Sequence, residues 1–303
     1  MPDTVIIQNP QSGSGDHADA VRDRAELVGY ALERTENAGD ALSLSREAAE
    51  AGVSTIVAAG GDGTVNEVVH GIDQAEAFAD VTLGVLPLGT GNNFAEQIGI
   101  TDLDGAFAVL EDGDRRRIDL GRADDRLFVN SCVAGLTANS SSETSSDMKN
   151  RIGTLAYVIT TLRSMSDFES LPLTIDGAES ESGTSAWTGE ALSVLVGNGR
   201  RFTTEGGEQA NMEDGRFDVT VIKDAPALDL MGDRVVERLF GRGSPHIDRF
   251  QTSSLTITID TPETIRFSLD GEIIQRKRLS LDIQPRTLAV AVGDAYDPSP
   301  DEK

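Results

Sequence analysis

Residues Val53 to Gly71 read VSTIVAAGGDGTVNEVVHG, and the order of residue types in this stretch decides the fold. A β-branched apolar run, Val53 to Ala59, gives way to Gly60-Gly61-Asp62-Gly63-Thr64-Val65-Asn66-Glu67, and then to a helical pattern ending at Gly71. Strand, small-residue loop and helix N-terminus in succession suit phosphate. Glycine permits a turn at positive φ and close approach of an anion to backbone N–H groups, and the helix adds its positive dipole end. Asp62 puts a negative charge where an anion should bind. The conflict is resolved if Mg²⁺ lies between Asp62 and the phosphates, since that ion is commonly held by one or two carboxylates together with phosphate oxygens and waters.

Two further loops repeat the arrangement. The strand Val5 to Gln8 runs into Asn9-Pro10-Gln11-Ser12-Gly13-Ser14-Gly15, and the strand Thr82 to Leu86 into Pro87-Leu88-Gly89-Thr90-Gly91-Asn92-Asn93-Phe94. In a parallel α/β sheet such loops gather at the carboxyl ends of the strands, where ligands bind. The string Gly13-Ser14-Gly15-Asp16-His17-Ala18 superficially fits a dinucleotide fingerprint. That reading leaves the Gly60 loop unexplained and is set aside.

With these loops the chain resembles the diacylglycerol kinase catalytic family of soluble lipid kinases, which includes sphingosine and ceramide kinases. The resemblance runs almost end to end. It rests on Asn9-Pro10 with Ser12-Gly13, Thr35-Glu36-Asn37-Ala38-Gly39-Asp40-Ala41, the Gly60 to Glu67 and Pro87 to Phe94 loops, Ile118-Asp119-Leu120-Gly121, Glu213-Asp214-Gly215 and Leu269-Asp270-Gly271-Glu272. A lone Gly-Gly-Asp-Gly is shared with NAD kinases and phosphofructokinases; the ordered series is much more specific.

Composition fits an acidic enzyme. The 303 residues exceed a usual single core and suggest two domains. The net charge is −25, from 51 acidic against 26 basic residues, and the only lysines are Lys149, Lys223, Lys277 and Lys303, which argues against nucleic acid as a partner. A surface so rich in carboxylates and poor in lysine resembles that of salt-in halophiles, where salt screens self-repulsion, and predicts a halophilic archaeal source. Cys132 is the sole cysteine and reads as a small buried apolar residue. His17, His70 and His246 are too few and scattered for a His-based metal site. The sequence lacks an apolar run of about 18 residues and a basic signal region, so the expectation is a cytoplasmic protein, at most peripheral to the inner face of the membrane.

Residues 4 to about 120 alternate strand and helix patterns: a helix near Ala18–Gly29, a strand near Tyr30–Thr35 and a helix near Asp40–Ala51 follow the opening strand. From Asp119 the texture turns to alternating strands, at Leu171–Asp176, Ala191–Val196, Phe217–Ile222, Leu255–Ile259, Thr264–Leu269 and Leu279–Ile283. The predicted fold class is an α/β N-terminal domain, NAD-kinase-like with a parallel sheet, plus a mainly antiparallel β-sandwich second domain. The predicted boundaries are 1–120 for the nucleotide-binding domain and 121–287 for the lipid-substrate domain. The resemblance suggests that about 288–303, with the apolar run Leu288–Val292, rejoins the first. The Ser-rich stretch Asn139–Asp147 and the tail Asp297–Lys303 read as mobile. Ile152–Leu162 reads as one amphipathic helix, and Tyr157, Leu162 and Phe168 near it as transient peripheral membrane contacts.

A lipid kinase needs a base for the acceptor hydroxyl and a cradle for the phosphates of ATP. By resemblance Asp270 and Glu272 form the catalytic base site, and which of them accepts the proton is not readable. The same carry-over puts Gly60, Gly61, Asp62, Gly63, Thr64, Val65 and Asn66, with Glu67, around the phosphates, and Asn9, Ser12 and Thr35 near the nucleotide. It also makes Gly89, Thr90 and Asn92 of the third loop nucleotide-binding, with Thr90 on the phosphate or adenosine side. Asp62 and Asp119 would hold the Mg²⁺ of MgATP through waters. Asn211-Met212-Glu213-Asp214-Gly215-Arg216 resembles a structural Mg²⁺ loop, with the Asp214 side chain and the carbonyls of Asn211 and Arg216 as ligands. The chain departs from the family at Asn93, where many bacterial members have Asp; one negative charge is lost from the proposed Mg²⁺ network.

The leading reading is thus an ATP-dependent kinase acting on a lipid alcohol, diacylglycerol-like or archaeal glycerolipid. An NAD kinase, which shares the Gly60 loop, and a non-catalytic lipid or nucleotide sensor are the alternatives. The sequence leaves a homodimer open and does not identify the lipid.

Overall fold

A computed structural model describes residues 3–13, 17–135, 170–177, 186–202, 207–224 and 244–300. The Ser-rich stretch, the helix expected at 152–162 and the proposed membrane contacts Tyr157, Leu162 and Phe168 lie outside them. The chain divides into two compact units, Met1–Leu120 with Pro285–Ser299, and Gly121–Gln284 with Pro300–Lys303.

The first unit alternates strand and helix: β1 Thr4–Gln8, α1 Ala18–Val28, β2 Ala31–Arg34, α2 Asp40–Glu50, β3 Thr55–Gly60, α3 Asp62–Gln74, β4 Thr82–Pro87, α4 Asn93–Gln97, α5 Leu103–Asp112 and the start of β5 Asp114–Ala123. β1 pairs in parallel with both β2 and β3, and β3 with β4. The chain therefore steps to one side of β1 and then to the other, and the loops after β1 and β3 flank that switch point. Strands covered on both faces read as continuous apolar runs, and Ile56, Val57, Ala58 and Ala59 are fully buried. α5, although amphipathic, went unread in the sequence. Its start is fixed by Asp102, whose carboxylate accepts the Gly105 N–H at 2.8 Å, and its Ala106, Phe107 and Leu110 are buried.

The second unit is antiparallel: the end of β5, then β6 Arg126–Phe128, β7 Ser131–Gly135, β8 Leu171–Gly177, β9 Ala186–Gly197, β10 Arg200–Phe202, β11 Gly207–Gln209, β12 Phe217–Lys223, β13 Ile247–Thr252, β14 Ser254–Ile259, β15 Ile265–Leu269, β16 Glu272–Arg276 and β17 Arg278–Val292. β9 makes the sandwich. Its first half pairs with β8, which continues through β14 to the start of β17. Its second half lies between β7 and β12, in a layer that extends to β15, β16 and β13. Leu173, Ile257 and Leu281 of one layer share a core with Val194, Val219 and Phe267 of the other. β17 does not stop at Ile283; its far part, Ala289 and Val290, pairs in parallel with β4 of the first unit's sheet.

Candidate nucleotide pocket and carboxylate hairpin

A cavity of about 410 Å³ in the first unit is lined by Asn9, Gln11, Ser12, Thr35, Glu36, Asn37, Ala38, Ala41, Gly61, Gly63, Thr64 and Glu67. It collects the loops after β1, β2 and β3 at the carboxyl ends of parallel strands. α3 begins at Asp62 after Gly61, with no side chain capping it, so its leading N–H groups remain available where Gly61, Gly63 and Thr64 line the cavity. Asn9 shapes its own loop: its Oδ1 accepts the Gln11 N–H at 3.0 Å and its carbonyl accepts from Ser12 N at 3.2 Å. On the opposite rim Asp40 Oδ2 accepts the N–H groups of Glu36 and Asn37 at 2.8 and 2.7 Å, and these bonds, Glu36 first, hold its carboxyl below the usual range. Sequence reading passed over Gln11, Glu36 and Asn37 as lining residues; the Asp four positions after Glu36 and three after Asn37 was the available signal, a side chain that bonds back to upstream N–H groups and closes the loop.

Two expectations need correction. The glycines of the Gly60 loop are not there for positive φ, since none of the three adopts it. They answer to space: a Cβ on Gly60 would lie 2.3 Å from Thr64 Oγ1 and one on Gly61 3.2 Å from Gly89 Cα, whereas one on Gly63 would meet nothing within 4 Å. Val65 and Asn66 do not line the cavity. They are 2% and 4% exposed because helical periodicity turns them inward while Gly63 and Glu67, one turn apart, face outward.

The third loop closes on itself through Asn92, at φ 46°, whose side chain accepts from Gly89 N and donates to Gly89 O, both at 2.8 Å. Gly89 meets Gly61 at backbone contact distance. Thr90 is exposed and outside the cavity lining. Asp62 turns away from the cavity: Oδ2 accepts from Asn93 N at 3.1 Å and Asn93 Nδ2 at 2.9 Å, and Oδ1 from Phe94 N at 2.9 Å. Three of its acceptor positions are occupied, two on Oδ2 and one on Oδ1, which leaves one on Oδ1 for a further contact. Asp119 does not fit the Mg²⁺ of a nucleotide. It has no exposed surface, and its Oδ1 accepts the N–H of Arg286, at φ 48°, at 2.7 Å.

In the second unit the loop 211–216 is built from two Asx turns, Asn211 Oδ1 accepting Glu213 N at 3.0 Å and Asp214 Oδ1 accepting Arg216 N at 2.9 Å. Asp214 is exposed, and hard oxygen donors of this kind suit Mg²⁺. Among the described residues no three His, Cys, Asp or Glu side chains gather as a metal-binding group.

Asp270 and Gly271 form the two-residue turn between β15 and β16, with φ 48° and 102° and Leu269 paired to Glu272. This is the primed hairpin geometry that Asp-Gly favours. The Asp270 carboxylate accepts three backbone N–H groups, Val129 at 2.6 Å, Asn130 at 3.0 Å and Ser131 at 2.8 Å, and its own N–H donates to Ser131 O at 3.0 Å. Glu272 is different: its side chain is half exposed and pairs with Arg126 at 2.8 Å. Sequence reading missed Arg126 and the segment 129–131, which no motif marked. Cys132 is fully buried beside this hairpin, and burial, with the Asp270 charge adding to it, pushes its thiol far up from the ordinary value.

Comparison with known proteins fits both units. Residues 3–123 match the diacylglycerol kinase catalytic domain and residues 130–292 the YegS C-terminal NAD kinase beta sandwich-like domain. A protein of Pseudomonas aeruginosa named probable lipid kinase YegS-like is 30% identical over 292 residues, covering 94% of this chain and 92% of that one. Lipid kinase YegS of Escherichia coli is 31% identical over 261 residues, 82% of each chain. The crystal structure of a diacylglycerol kinase from Bacillus anthracis covers 97% of this chain and 98% of its own, with a TM-score of 0.72 at 22% identity, a likeness of fold.

Proposed function

Because this chain belongs to the YegS-like lipid kinases, with their diacylglycerol kinase catalytic domain, we propose that it transfers the γ-phosphate of ATP to the hydroxyl of a lipid alcohol, diacylglycerol-like or archaeal glycerolipid. The observation that carries the donor half is the uncapped α3 N-terminus opening, through Gly61 and Gly63, into a polar cavity. Backbone donors fixed in this way can neutralise phosphate charge without rearranging as the reaction proceeds. Asn9, Ser12 and Thr35 would hold the nucleotide, and Glu67, whose Oε1 accepts the Gly39 N–H at 3.2 Å, would fasten the α2 rim.

Glu272 is the better general base of the carboxylate pair. It is half exposed and engaged by one side chain, so it can release Arg126 and take a proton from an acceptor hydroxyl. Asp270 has three of its acceptor positions taken by backbone N–H groups, and serves to hold the 129–131 segment. Mg²⁺, when bound with ATP, would spread charge on the phosphates; Asp62 would reach it through water, and Asp214 with the Asn211 and Arg216 carbonyls would hold a second, structural ion.

No helix among the described residues is long and apolar enough to cross a membrane, and the acceptor would be reached by transient peripheral contact. At −25 the chain repels an anionic bilayer at low salt, and molar salt, with a Debye length of about 3 Å, removes that repulsion. The halophilic source inferred from the charge makes molar salt the working condition. Labelled ATP incubated with extracted archaeal lipids, diacylglycerol or NAD in molar salt tests the reading. A labelled lipid is expected; efficient labelling of NAD without lipid, or no acceptor at all, overturns it.

A further inference from the structure

The contact between the Gly60 loop and the Pro87–Phe94 loop is made by polar groups with separate duties. Gly61 and Gly89 set the distance, since a Cβ on Gly89 would lie 2.4 Å from Gly61 Cα. Leu88 N donates to Gly60 O at 3.0 Å. Asn92 spends its side chain within its own loop, while the adjacent Asn93 reaches across to Asp62. Of the three donors on Asp62 two are backbone N–H groups that any residue would supply, and the third is the Asn93 side chain. An ionised carboxylate only accepts, so the amide must present Nδ2 to Asp62 Oδ2 at 2.9 Å. Gly91 roofs the pair: a Cβ there would lie 3.2 Å from Asn93 Nδ2 and 3.4 Å from Asp62 Oδ2.

We propose that Asn93 is a positioning residue whose amide completes a three-donor latch on Asp62, so that the two loops hold their contact by hydrogen bonding alone. A carboxylate at position 93 would set oxygen against oxygen at the same separation and hand the task of joining the loops to a cation. The latch fixes the end of α3 that opens into the cavity, so its value to nucleotide binding rests on the kinase reading; the loop contact does not.

The test is thermal melting of the full chain without nucleotide, at fixed ionic strength, with and without millimolar Mg²⁺, for wild type, Asn93→Ala and Asn93→Asp. Loss of the amide donor should lower the melting temperature of Asn93→Ala by about 2 °C, the shift that about 1 kcal/mol gives when the per-residue unfolding entropy is carried to a chain this long. Asn93→Asp should fall further, and Mg²⁺ should raise it by more than it raises wild type or Asn93→Ala. A melting temperature for Asn93→Asp equal to or above that of wild type without Mg²⁺, or a Mg²⁺ increment no larger than in the other two, overturns the proposal. No substrate enters this measurement, so a failed latch leaves the kinase reading standing, and a failed kinase assay leaves the latch standing.

Discussion

The aspartate of the Gly60 loop and the aspartate of the β15–β16 hairpin belong to different units and different folds, yet they are used alike. Asp62 accepts three N–H groups from the loop at residues 93 and 94, and Asp270 three from residues 129 to 131. Each motif aspartate is a fastener. The group left open beside it differs: in the first unit it is backbone, the start of α3 with Gly63, and in the second it is a side chain, Glu272. On the proposed function, residue type in a motif marks the place, while hydrogen-bond occupancy separates the group proposed to react from the one that holds it.

The largest effect should come from breaking that distinction in the hairpin. Glu272→Gln is expected to cut turnover roughly 10²-fold or more, with ATP affinity and melting temperature unchanged, because it removes a proton acceptor and a half-exposed ion pair that adds little to stability. Asp270→Asn should also lose turnover, and melt lower as well, since an amide NH₂ set against backbone N–H groups leaves buried donors unmatched, at about 1–3 kcal/mol. Parallel kinetics and melts separate them; a Glu272→Gln variant as active as wild type would return the base to Asp270.

The glycine loop offers the second break. Gly63→Val should abolish calorimetric ATP binding with little loss of stability, its side chain projecting where no atom lies within 4 Å, into the space a phosphate would take. Gly61→Val should lose binding and stability together, because its side chain pushes on Gly89 backbone. If the two variants lose affinity and melting temperature in the same proportion, the glycines act only through folding.

Why the first unit was more legible than the second follows from the same contacts. Glycine close to backbone, and apolar runs covered on both faces, are demands that few other residues meet, so β1, β3, β4 and their loops could be read within a residue or two. The alternating strands of the sandwich could be read one by one, while the division of β9 between layers depends on pairings that no local pattern carries. Val65 and Asn66 turn inward although the motif reads as a continuous string, because its helix exposes one residue in three or four. Arg126 lies 146 positions from Glu272, and only folding brings them together.

Asp40 gives the smallest and sharpest test. It is a third fastener, with two donors instead of three, holding residues 36 and 37 at the rim of the first unit's cavity. The Glu36 and Asn37 N–H groups favour its ionised form, so its folded pKa lies below the unfolded one. A carboxyl depressed in this way stabilises the fold above its unfolded pKa, near the ordinary value of 3.8, and loses that contribution as pH falls through the folded value. Asp40→Ala should therefore unfold slightly more easily than wild type at pH 7, and the gap should close as the pH drops below the carboxylate range, read by denaturant titration at constant molar salt. Its effect on stability should be smaller than that of Asp270→Asn, because it gathers two donors instead of three and water competes for a partly exposed carboxylate. A gap of the same size at pH 7 and at pH 3 would mean that Asp40 acts through packing, and that counting N–H donors does not rank these three aspartates.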